Sequence, residues 1–167
     1  MTALVERLWE LGPTMVGGTP HAQELGMKFV AVDKGRATLS LPYNTALIGD
    51  PGSRVVSGGA VTSLLDQSSG LAAIAGFEAL GPVATLSLRI DYQRAATPGK
   101  TIIAEAVCYK TTRHVAFVRA IAHDGNEEDP IATAQSCFMV TGKQYSCLLY
   151  TSPSPRDLST SRMPSSA

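Results

Sequence analysis

Asp66 is the only charged residue between Arg54 and Glu78, in a stretch otherwise dominated by Leu, Ala and Ile. A carboxylate so placed is a candidate proton acceptor. Asp is a poor former of helix interiors, so its presence there carries a small local penalty. Nine residues earlier stands Ser57, followed by Gly58 and Gly59. A helix that starts here presents N–H groups without intrahelical partners and a partial positive charge. Glycines allow a ligand oxygen to approach that backbone closely. These are the requirements of an oxyanion hole. Ser57 is also a favourable N-cap. Thr62, Asp66, Ser69 and Ala73 recur at three- and four-residue spacing, which predicts one narrow polar stripe facing a cleft.

Other chemistry is thinly supported. Cys108, Cys137 and Cys147 form no Cys-x-x-Cys pair, which argues against a disulfide framework and a zinc site. His21, His114 and His123 are scattered, so no metal is assigned. Ser57 does not sit in a Gly-x-Ser-x-Gly elbow. Arg54, Arg89, Arg94, Lys100 and Arg113 are candidate ligands for phosphate groups. Arg94 has the best position among them, just past a predicted strand. The chain holds 14 Lys+Arg and 14 Asp+Glu, so no excess charge points to nucleic acid or an anionic membrane. No apolar run approaches the ~20 residues of a membrane span, and a cytoplasmic protein is expected.

The elements that must position these residues follow from periodicity. Residues 3 to 11 fit a short amphipathic helix with Leu4, Leu8 and Leu11 on one side, ended by Gly12 and Pro13. Residues 25 to 32 and 36 to 41 read as a strand pair joined by a turn at Asp33-Lys34-Gly35. A polar loop spans Pro42 to Val56. Residues 57 to 78 form the main helix, apolar nearly all round and therefore buried on most sides. Four β-rich runs follow, at 83 to 92, 101 to 111, 113 to 122 and 131 to 140. In the first, Leu86, Leu88, Ile90 and Tyr92 alternate with Thr85, Ser87, Arg89 and Asp91. The polar set is expected to face water or a partner subunit at a wet site. One antiparallel sheet curled round one long helix accommodates this order, an α+β arrangement.

Composition breaks near Gln144. Residues 144 to 167 are rich in Ser, Thr, Pro and Arg and lack periodicity, so they cannot offset their ordering entropy by burial. YTSPSPRD and SRMPSSA resemble translated sequencing adaptor, and the segment is expected to be a non-native or disordered tail. The domain is then residues 1 to 143.

SGGAVTSLLDQSSGLAA, ATLSLRIDYQRAATPG and VAFVRAIAHD, taken together, resemble the hotdog-fold thioesterases of the phenylacetate-degradation (PaaI-like) type. The similarity runs over about residues 20 to 142. It implies a hotdog fold with a short N-terminal helix, hydrolysis of acyl-CoA thioesters without a cofactor, and dimers or tetramers with sites at subunit interfaces. By resemblance, Asp66 is the general base or the nucleophile. Gly58 holds the thioester oxygen through its amide, Thr85 positions water, and Ser57 and Gly59 contact substrate; Arg94, by its chemistry and its place after the strand, is expected to bind the CoA phosphates. Two departures stand out. Ser57 replaces the histidine that opens the family helix, and Pro51 stands where some members carry asparagine. They motivate an alternative, a non-catalytic acyl-CoA-binding hotdog protein. A hydratase of the same fold ranks last, since no suitable histidine precedes Asp66.

Overall fold

The computed structural model describes residues 2–141, and the predicted tail lies outside them. Helix α1 (Ala3–Gly17) opens on Thr2, whose hydroxyl accepts from the Val5 N–H. It continues through Gly12 and Pro13 rather than ending there. The apolar repeat explains the difference. Val5, Leu8, Gly12 and Val16 are buried at spacings of three and four residues, so the packed face outlasts the proline. Gly12 is required by that packing, because a Cβ there would lie 2.4 Å from a Phe29 ring carbon. A short helix α2 (Pro20–Leu25) follows, ended by Gly26 in the left-handed region at φ 70°.

The predicted strand pair is present as β1 (Lys28–Asp33) and β2 (Arg36–Leu41), with Gly35 at φ 66° in the turn. The polar loop holds a small hairpin, β3 (Ile48–Asp50) and β4 (Val55–Val56). The main helix is α3 (Gly58–Gly76), capped by Ser57. Strand β5 (Val83–Tyr92) has the predicted limits, and β6 (Ile102–Thr111), β7 (Val115–His123) and β8 (Ala132–Val140) differ from theirs by a residue or two.

Six strands form one antiparallel sheet in the order β1-β2-β6-β7-β8-β5. Its concave face holds α3, which packs chiefly on β2, β6 and β7. Leu64, Leu65, Ala72 and Ala73 of α3 are completely buried, against Leu39, Ala104 and Val118 of the sheet. Small residues on α3 let the helix sit close to the strands, and burial on most sides explains its near-total apolarity. Ser68 and Ser69 are also fully buried. Ser68 Oγ donates to the Leu65 carbonyl, whereas Ser69 Oγ has no partner among the described residues. The predicted polar stripe therefore stops at Asp66, and Ser69 turns into the core. The two sheet edges differ. Helix α1 packs against β1, while β5 is open along its outer side. This is the antiparallel, helix-wrapping arrangement of the hotdog fold.

Candidate active site

Helix α3 brings Asp66 to the sheet, and β5 brings Thr85 to Asp66. The Thr85 hydroxyl donates to Asp66 Oδ1 at 3.0 Å. The other Asp66 oxygen has no protein partner among the described residues. Both side chains line a cleft of about 280 Å³ whose remaining walls are mostly apolar, including Val16, Leu71, Ile74 and Phe138.

A bulge makes this contact. Simple alternation puts Thr85 on the opposite face of β5 from Leu88, Ile90 and Tyr92. In the structure Thr85 pairs with Phe138 and Ser87 with Cys137, so Leu86 is an extra residue. An extra residue reverses the alternation beyond it. Val83 and Thr85 thus face α3 together with Leu88, Ile90 and Tyr92, and Leu86 turns outward, 54% exposed. Thr85, expected with its strand's polar set to face water or a partner subunit, instead turns inward and meets Asp66 of its own chain.

The start of α3 is a second polar locus. Ser57 Oγ accepts from the Gly59 N–H at 3.3 Å, so that amide is already occupied. The Gly58 N–H has no protein acceptor among the described residues, and Gly58 is exposed. The Gly58 carbonyl accepts from the Tyr92 hydroxyl at 2.6 Å. Thr62 Oγ1 lies 2.9 Å from the same phenolic oxygen. Because the phenol proton is used on Gly58, Thr62 is the donor in that pair. A Cβ on Gly58 would lie 3.4 Å from the Tyr92 oxygen, an ordinary contact distance. On the other side, His21 Nε2 is 3.2 Å from Ser63 Oγ, whose own proton goes to the Gly59 carbonyl at 3.1 Å. His21 shares a cleft of about 550 Å³ with Ser57 and Gly59.

Sequence reasoning missed Tyr92 and His21 as neighbours of this locus. Tyr92 stood in the apolar alternation of β5 and His21 among scattered histidines. A hydroxyl on the last residue of an otherwise inward apolar row was the available signal for Tyr92. Nothing local signals His21, which meets Ser63 only through the packing of α2.

Arg94 has a different environment from the one expected. Its guanidinium gives 3.1 and 2.7 Å hydrogen bonds to the two Asp124 oxygens. It also bonds the Asp129 and Ala95 carbonyls and the Asp129 carboxylate. All five of its N–H groups are engaged. The Arg94 hydrogen bonds hold the Asp124 carboxyl well below the usual carboxylate range, against the opposing effect of burial. The same pairing raises Arg94. Arg89 pairs with Asp91 at 3.1 Å, both largely exposed.

Among the described residues, one group brings potential metal ligands together, Glu105, His123 and Glu127, within 4.8 Å of one another. The Gly125 N–H points at His123 Nδ1 at 3.3 Å. In the neutral ring that places the proton on Nε2, which then lacks the lone pair a metal needs. No described helix is long and apolar enough to cross a membrane.

Residues 54–131 match the family model of the thioesterase superfamily. The medium/long-chain acyl-CoA thioesterase YigI of Escherichia coli K12 is 25% identical over 143 residues, covering 78% of this chain and 91% of that protein. A crystal structure of a Pseudomonas aeruginosa protein is 37% identical, covering 83% of this chain and 99% of that one, with a TM-score of 0.72. The Escherichia coli PaaI protein of the phenylacetic acid degradation operon shares the fold at 18% identity, with a TM-score of 0.72 over 84% of this chain and 97% of that one.

Proposed function

We propose that this thioester hydrolase of the thioesterase superfamily hydrolyses acyl-CoA with Asp66 as the base that activates water. The observation that carries this reading is the Thr85–Asp66 hydrogen bond of 3.0 Å beside an apolar cleft. Thr85 occupies Oδ1 and orients the carboxylate. Oδ2 is left to take a proton from water as the water oxygen adds to the thioester carbon. Collapse of the resulting tetrahedral species breaks the C–S bond, and the thiolate leaves and is protonated. The Gly58 N–H is the candidate donor to the oxyanion, since Gly59 is engaged by Ser57. Medium or long acyl chains are the favoured substrates, by likeness to YigI and by the apolar lining beside Asp66.

One chain does not hold both halves of this machinery together. Gly58 and Asp66 are eight residues apart on α3, about 12 Å along its axis. An oxyanion donor must lie about 3 Å from the reacting oxygen, so one carbonyl cannot serve both groups of one helix. A homodimer or tetramer resolves this by pairing Asp66 of one copy with Gly58 of another. Strand β5 suits the contact: it is a ten-residue open edge without proline, carrying Leu86 and Tyr92 at 54% and 49% exposure.

Thiol release from a panel of acyl-CoAs tests the activity. Asp66→Asn is expected to lower turnover at least about a hundredfold, within the general-base range. Gly58→Pro removes the amide N–H at a helix position that tolerates proline. Mixing the two inactive variants after dissociation is expected to restore about a quarter of wild-type activity, because half of randomly paired dimers carry one complete site of two. No recovery on mixing, with dimers present, would exclude the shared site.

A further inference from the structure

We propose that Gly70 sets the length of acyl chain the enzyme accepts, by keeping open the channel between α3 and Phe138. The proposal rests on the acyl-CoA reading above and assigns the space beside Asp66 to a linear apolar chain. Asp66, Gln67, Gly70, Leu71 and Ile74 line one side of the cleft. Their spacing marks one face of α3, and eight residues of helix extend about 12 Å. A thioester carbonyl at Asp66 directs its chain along Gly70, one turn on, towards Ile74, two turns on. Val83 and Phe138 supply the opposite wall, with Met15 and Val16 reaching in from α1.

Gly70 needs an explanation that its backbone does not give. It lies inside α3, and the glycines with positive φ are Gly26, Gly35, Gly99 and Gly125. Glycine is a poor helix residue, so a backbone role is lacking and a local penalty is present. What glycine provides here is space. A Cβ at position 70 would stand 3.4 Å from Phe138 Cε1 and 3.9 Å from Cζ. A methyl group would just touch the ring, and anything larger would have to occupy the channel. The cleft measures about 280 Å³. Its mostly apolar lining along one face of α3 suits a linear acyl chain.

The test compares butyryl-CoA with decanoyl-CoA in the wild type, Gly70→Ala and Gly70→Leu. Alanine is expected to lower kcat/KM for decanoyl-CoA about tenfold relative to butyryl-CoA, and leucine about a hundredfold, on the scale of methylene discrimination in apolar pockets. Phe138→Leu is expected to shift the preference the other way. Binding of decanoyl-CoA and butyryl-CoA by Asp66→Asn, with and without Gly70→Leu, is measured in parallel by calorimetry. A selective loss of decanoyl-CoA binding on adding Gly70→Leu supports the channel even if the wild type releases no thiol, a result that would remove only the catalytic reading. Thermal melts confirm folding, which a helix-interior Gly→Ala change favours. Parallel falls for both chain lengths, or an unchanged ratio in folded variants, overturn the proposal.

Discussion

Strand β5 carries a carboxylate contact near each end, and the two are built differently. Near its start, Asp66 receives one hydrogen bond, from Thr85, and keeps an oxygen without a protein partner beside a cleft. Just past its end, Asp124 receives two bonds from Arg94 and a third, at 2.7 Å, from the Thr97 N–H. The Asp124 side chain is 4% exposed, and Arg94 returns its remaining donors to backbone carbonyls and Asp129. Asp124 is the carboxylate with the strong electrostatic signature, and it has little capacity left for a substrate. The saturated pair at Asp124 is structural, whereas the unfilled hydrogen-bonding capacity of Asp66 beside an apolar cleft supports the chemical role proposed for it. The saturated end also fixes the loop after β7 to β5, which helps hold the strand that presents Thr85.

Substitutions at the two ends should separate activity from stability. The largest effect is expected for Asp66→Asn: kcat/KM lower by about 10²–10⁴-fold, with an unchanged thermal midpoint. Arg94→Ala should do the opposite. It strands the Asp124 carboxylate in a buried position, at an expected loss of about 3 kcal/mol in unfolding free energy, read from urea titration. Turnover per folded molecule should stay within about threefold, less than 1 kcal/mol in transition-state energy. If Arg94→Ala instead abolished turnover in a stable protein, its guanidinium would belong to the substrate site and the contrast would fail.

The division was only partly legible in the sequence. Strand β5 was delimited by its alternation because ten residues of period two admit few other readings. The long helix was equally clear, since an apolar run with Ser57 before two glycines has an evident start. The bulge at Leu86 was invisible, because it depends on register with β8 and not on a local residue type. That single residue decides whether Thr85 faces Asp66. Arg94 read as a free cation because Asp124 and Asp129 lie 30 and 35 residues away. Helix α1 ran past Pro13 because burial of Val16 outweighed a local breaker, an effect of tertiary packing.

Two smaller effects sharpen the contrast. Thr85→Val keeps the shape of the side chain and removes its donor. It should lower kcat about ten- to a hundredfold, the scale of a hydrogen bond to a charged group, while Thr85→Ser retains most activity. A rise in KM alone, with kcat unchanged, would place Thr85 in substrate binding and not in orienting Asp66.

The last test uses acid. Asp124 has a folded-state pKa held below its unfolded value by the Arg94 hydrogen bonds. A depressed carboxylate contributes stability that is fully present above the unfolded value, near pH 4, and is lost as pH falls through the folded one. For this one group the slope cannot exceed about 1.4 kcal/mol per pH unit. Urea midpoints measured from pH 5 downwards should therefore decline more steeply for the wild type than for Asp124→Asn, below about pH 4. Above that pH the two curves should run parallel, offset by the lost ion pair. Parallel curves throughout would mean that Asp124 titrates normally. The contrast between the two ends of β5 would then rest on their hydrogen-bond partners alone.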